Sequence, residues 1–293
     1  MIRKIFGLMS LLLGLIYLSS CDKDVHQDES GLTVTLKMTT DDAVSSVRLW
    51  IYQESGALVK EYSYKSVNEL ASDRFQLPAG NYVLVAANNL VTPFSVKDAA
   101  GDAKAYEDLL FTLDDASASP IHAHYGTKTV TVHEGETSLV QVDMSRVLAE
   151  LQFTIKGVPA DVTEVEAYVK NAAQGFYPAM NRLTPETAPA YLGKVRPQDG
   201  VISFPLIRVM PVVTPTESRA VSDIPTLLEF NFKYSDNTSI HFEAEAPEMQ
   251  NGGTYTPEVV FEVFQPGVTI RITDINGWGV GETTGGEILN PSN

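Results

Sequence analysis

Beyond residue 30, apolar side chains recur at every second position, and that period constrains the backbone of this 293-residue chain more tightly than any other feature. A strand sends successive side chains to opposite faces, so alternation predicts sheets with one buried face. In LTVTLKM, Leu32, Val34, Leu36 and Met38 fall on one side, with Thr33, Thr35 and Lys37 on the other. VRLWIYQ repeats the pattern with Val47, Leu49 and Ile51, and ESGA turns the chain into LVKEYSY. Pro78 and Gly80 mark a tight turn before NYVLVAANN, an apolar run suited to a central strand.

The pattern lapses between Val91 and Ser119, where alanines and acids predict a loop excursion with one or two helical turns. Strands resume at GTKTVTV, and Arg146 to Ala149 marks the passage into a second body. TEVEAYVKN, VISFPLIRVMPVV, LLEFNFKY, IHFEAEA, YTPEVVFEVF and VTIRITDI are its strand candidates, and YSDNTS is its clearest hairpin turn. PVVTPTESRAVSDIP reads as an exposed loop, and the tail GETTGGEILNPSN is polar. The expected fold is all-β, with one sandwich over residues 31–147 and a second over 148–293.

The chain's single cysteine sits at the end of an N-terminal targeting pattern. Arg3 and Lys4 precede an apolar run, Ile5 to Leu18, which is short for a membrane span. Leu18-Ser19-Ser20-Cys21 resembles a bacterial lipobox, making 1–20 a lipoprotein signal peptide and Cys21 the lipidation site. Each buried methylene of an acyl chain contributes about 0.8 kcal/mol, so several chains tether firmly. Residues 21–30 form an acidic leader resembling a surface-export signal of Bacteroides-type lipoproteins; a plain solvated leader is the alternative. Without a second cysteine the exported body has no internal disulfide and stands on core packing. Acidic residues outnumber basic ones, 37 to 21, for a net charge of -16, which repels nucleic acid.

Catalytic patterns are sparse. HAH at His122 and His124 has metal-like spacing but lacks further nearby ligands, so a solvated strand pair is the favoured reading and no metal or other cofactor is expected. The Asp-Asp pairs at 41–42 and 114–115 fall in turn-like surroundings, where solvated turns outweigh a glycosidase dyad. Neither a GxSxG elbow nor a phosphate-binding glycine loop occurs, so no enzyme is expected. Trp50 and Tyr52 alternate with the apolar face of their strand; they are either glycan-stacking rings or ordinary packing, the latter favoured.

The lipobox, LPAGNYVLVAANN, VDMSRVLAELQFTIKG and VTIRITDINGWGVGETTGG together resemble the fimbrillin-associated anchor family of Bacteroidales, with Gly80, Tyr82, Arg146 and Trp278 among the shared positions. That resemblance implies two tandem transthyretin-like β-sandwiches, of the Ig-like topology class, in an outer-membrane lipoprotein of fimbria assembly. It implies fimbrial subunits as partners, bound by β-strand complementation. Shaft and tip fimbrillins in this group are matured by a cut after a basic residue near the N-terminus. Here Lys37 and Arg48 fall inside strand patterns, which favours an uncut anchor while leaving Arg48 as a candidate cleavage site. A carbohydrate-binding surface lipoprotein is the rival reading, and any host or glycan ligand stays unspecified.

Overall fold

The computed structural model describes residues 30–276, apart from 39, 41, 99–104, 117, 214–224, 247 and 265–266. The first half runs through β1 (Gly31–Met38), β2 (Val47–Gln53), β3 (Leu58–Tyr64), the short helix α1 (Val67–Ser72), β4 (Phe75–Gln76) and β5 (Gly80–Asn88). It continues with β6 (Phe94–Asp98), β7 (Leu109–Leu113), β8 (His124–Val132) and β9 (Thr137–Arg146). The second half holds β10 (Ala149–Leu151), β11 (Thr154–Lys156), β12 (Val162–Ala173), β13 (Gly175–Tyr177), β14 (Arg182–Leu183) and β15 (Thr187–Val195). It ends with β16 (Val201–Ser203), β17 (Ile207–Val209), β18 (Thr226–Tyr234), β19 (Ser239–Ala246), β20 (Thr254–Phe264) and β21 (Gly267–Asn276). Among the described residues the chain is nearly all β, built as several packed sheets with one short helix.

Both halves follow one plan. The order β3-β2-β5-β8 in the first matches β15-β12-β18-β19 in the second. In the first, β1 runs parallel to β9, in register from Gly31↔Thr137 to Met38↔Met144. In the second, β10 and β11 together run parallel to β20. Short antiparallel partners, β4 and β16, flank β1 and β11. Alternation fills the two interiors: Leu32, Val34, Leu49, Ile51 and Leu84 in the first, Phe153, Ile155, Val165, Phe230 and Phe232 in the second.

Each half breaks the plan once with an inserted hairpin, β6–β7 in the first and β13–β14 in the second. The two hairpins pair with each other, Phe176 opposite Phe111 and Gly175 opposite Thr112, giving the sheet β14-β13-β7-β6. This shared sheet roofs the outer face of β2 and β5, enclosing a third core of Trp50, Tyr52, Val85, Phe111, Phe176 and Met210. The β2 strand is therefore buried on both faces.

Trp50 and Tyr52 take the favoured packing role rather than the glycan-stacking alternative, each being only 2% exposed. Their rings lie 5.7 Å from Phe111 and 5.5 Å from Tyr106, so neither offers a face to a sugar. The stretch 91–119 changes from the expected loop: its described residues hold β6 and β7, with a three-residue 3-10 turn at Tyr106–Asp108. The α-helix occurs instead at Val67–Ser72, where the Ser66 hydroxyl accepts from the Glu69 amide at 3.2 Å and Glu69 reaches back to the Lys65 amide at 2.7 Å. VISFPLIRVMPVV splits into β16 and β17 around Pro205, which has no amide hydrogen to give a ladder.

Candidate functional site at the seam

Where the halves meet, the chain passes from β9 into β10 and carries Arg146 and Glu150 on either side of the apolar Val147, Leu148 and Ala149. Arg146 grips Asp42, on the β1–β2 connection, with Nε to Oδ2 and Nη2 to Oδ1 both at 2.9 Å. Thr40 donates its hydroxyl to the same carboxylate at 2.6 Å, and His124 Nε2 lies 3.0 Å from Oδ2. Burial raises the Asp42 pKa, but the Thr40 and Arg146 hydrogen bonds outweigh it and hold the group at about 2. Asp42 is thus a half-buried anchor rather than a solvated turn residue. Asp114 does sit exposed in a turn, accepting from Ser95 at 2.9 Å.

The network crosses the seam at Glu150. Its Oε1 takes His122 Nε2 at 2.7 Å and Arg208 Nε at 3.2 Å, and its Oε2 takes the Thr254 hydroxyl at 3.1 Å. The HAH segment is therefore buried and carboxylate-bound, where a solvated strand pair was expected. The two imidazoles lie 6.2 Å apart and each faces a different acid, so they do not converge on a metal. Burial lowers the pKa of both rings, against the pull of Glu150 on His122 and of Asp42 on His124. His122 Nδ1 is buried without a hydrogen-bond partner among the described residues.

Two asparagines closing β5 organise this site, and sequence reasoning gave them no role. Asn88 Oδ1 accepts the backbone amide of His124 at 3.1 Å and lies 2.9 Å from its Nδ1. Asn89, in the left-handed region at φ 56, donates to the carbonyls of Ala43 and His122 at 2.8 Å and accepts from Ser45 at 2.9 Å. The legible signal was two amides, each 1% exposed in the structure, ending an apolar strand.

Beside the network lies an open cleft of 830 Å³ lined from both halves, including Thr40, Tyr125, Arg146, Arg182, Val212 and Met249. Sheet margins are only partly laddered. β4 meets β1 only at Gly31 and Leu32, so from Thr33 to Met38 the strand is laddered to β9 alone among the described residues. The α1 helix packs beside it through Leu70 but adds no ladder.

Arg48 lies in β2 between β3 and β5, its Nε 3.0 Å from Glu61 Oε1 and its guanidinium 4.7 Å from the Trp50 ring. A protease reaches it only by unzipping two ladders. Cys21, Asp41 and Trp278 lie outside the described residues. Among the described residues, Glu229, His241 and Glu243 bring three potential ligand atoms within 4.8 Å of one another. The Lys170 ammonium already sits there, paired with Glu243 and 3.6 Å from Glu229.

The sequence profile of the family described as fimbrillin-A associated anchor proteins Mfa1 and Mfa2 matches residues 18–283. Among solved structures, the fimbrial anchor protein Mfa2 from Porphyromonas gingivalis is similar at TM-score 0.61 and 11% identity, covering 89% of this chain and 99% of that one. A candidate adhesin from Bacteroides thetaiotaomicron gives TM-score 0.56 and 15% identity, covering 90% and 98%. A candidate polysaccharide-binding protein from the same species gives 0.57 and 12%, covering 90% and 99%. At these identities the likeness is one of fold. No curated protein matches the chain.

Proposed function

Because the chain belongs to the fimbrillin-A associated anchor family, we propose that it is a non-catalytic, lipid-tethered surface protein that holds a fimbrial polymer at the outer membrane and engages a fimbrial subunit by strand addition. Cys21 is the tether and residues 21–30 are the leader. The two bodies, 31–147 and 148–293, are tandem transthyretin-like sandwiches locked by the seam.

The observation that carries the strand-addition reading is the margin of β1. On the edge away from β9, Thr33 to Met38 meet no ladder partner among the described residues, so backbone donors and acceptors there are open to an incoming extended segment. The positions of Lys37 and Arg48 inside strands support an uncut N-terminus, and with it the anchor over a protease-matured shaft or tip subunit. Replacing Cys21 with Ser in the producing cell tests the role. The expected result is fimbriae shed into the medium with the variant attached; fimbriae retained on the cells as in the wild type would contradict it.

A further inference from the structure

The repeated plan draws attention to one sheet face. In the first half, the outer face of β3-β2-β5-β8 carries Trp50 and Tyr52 and lies under the shared sheet. The matching face of β15-β12-β18-β19 has no such roof among the described residues: Lys194, His241 and Glu243 are 46–47% exposed there. Register places Tyr168 opposite Tyr191, with ring centroids 5.1 Å apart and planes tilted by 44°. Glu229 and then Glu243 continue that row across β18 and β19, and the next row runs Lys194, Glu166, Asn231, His241.

The polar groups are held in place without being buried. Lys194 bridges Glu164 and Glu166 at 3.0 and 2.6 Å. Asn231 donates to Glu229 at 3.3 Å and lies 3.0 Å from His241 Nδ1.

We propose that this face binds an uncharged glycan, with the C–H faces of its sugars against Tyr168 and Tyr191 and its hydroxyls meeting the carboxylate and amide groups of the neighbouring rows. Aromatic C–H contact combined with fixed hydrogen-bonding groups is the chemistry that suits a pyranose. A protein partner would need a larger apolar centre than two tyrosines and the half-buried Leu227 supply. Five carboxylates, Glu164, Glu166, Glu229, Glu243 and Glu245, against Lys170, Lys194 and Lys233, disfavour sulfated or uronic-acid polymers. Lys170 already neutralises the acid cluster that a divalent cation would take. β15 is the last strand of its sheet, so a polymer can run past Tyr191. This inference is independent of the fimbrial role.

Affinity electrophoresis of the full chain through gels containing β-1,3-glucan, β-1,4-glucan, xylan or α-mannan tests it, with polygalacturonate as the acidic comparison. At least one neutral polymer should retard the wild type. Tyr168→Ala and Tyr191→Ala should each weaken that binding about tenfold, Tyr168→Phe should retain it, and thermal melting should confirm that all three fold. No retardation by any neutral polymer, unchanged retardation in the double alanine variant, or binding to polygalacturonate alone would overturn it.

Discussion

At Asp42 a single carboxylate receives a bidentate guanidinium, a hydroxyl and an imidazole, with 20% of its side chain exposed. The folded-state pKa of about 2 lies below the unfolded value, so this group's stabilisation is complete above about pH 4 and is lost as pH falls through 2. The shift corresponds to about 2 kcal/mol. Asp42→Asn should cost about 2–3 kcal/mol in urea unfolding at pH 7, because the half-buried Arg146 keeps only its longer pairing with Glu150 at 3.7 Å; a loss within error of zero would remove Asp42 from the seam's energetics. His122 adds a second, separate dependence. Its pKa is lowered, first by burial and then opposed by Glu150, with Arg208 and Arg146 also disfavouring a second proton. The unfolded chain therefore binds the proton more readily, and stability declines as pH falls below about 6.5. His122→Gln should flatten the slope of unfolding free energy between about pH 6.5 and 5; an unchanged slope would assign it elsewhere. Residue roles were the least legible part of the sequence. HAH looked like surface spacing because alternation cannot show that a second half covers the strand end, and the glycan-stacking alternative for Trp50 and Tyr52 stayed open because their roof comes from the distant strands β6, β7, β13 and β14.

Gly175 sits at the joint of the two inserted hairpins. A Cβ there would stand 2.9 Å from the Phe111 carbonyl oxygen and 3.0 Å from Thr184 Cγ2, contacts that neither β7 nor β14 can relieve without moving. Gly175→Ala should lower stability by about 1–3 kcal/mol, read from denaturant midpoints, with Gly56→Ala, in open space but at φ 91, as a milder comparison. A loss at Gly175 within error of zero would show that the hairpin joint is not tight. The long alternating strands, β1, β2, β5, β18 and β19, were readable because each buries one face or runs through the middle of a sheet. β6, β7, β13 and β14 were not, since hairpins of two to five residues per strand carry too few side chains for a period. TAPAYLGKV, the edge strand β15, was hidden by its proline and glycine, which an edge tolerates.

Taken as one object, the molecule has two interiors joined by a third core that draws Trp50, Leu148, Phe176 and Met210 from both halves. Apolar packing shared in this way couples unfolding, so calorimetry should show one transition for the whole chain; two resolved transitions would mean that the seam contributes little. The all-β class followed from period two, and the likeness of the two halves emerges only in strand order, because pairing between distant segments leaves no local mark on sequence. The external role rests on the N-terminus. Intact-mass and peptide analysis of the protein recovered from surface fimbriae measures it directly. The expected species begins at an acylated Cys21; a chain without lipid, or one beginning after Lys37 or Arg48, would contradict the anchor.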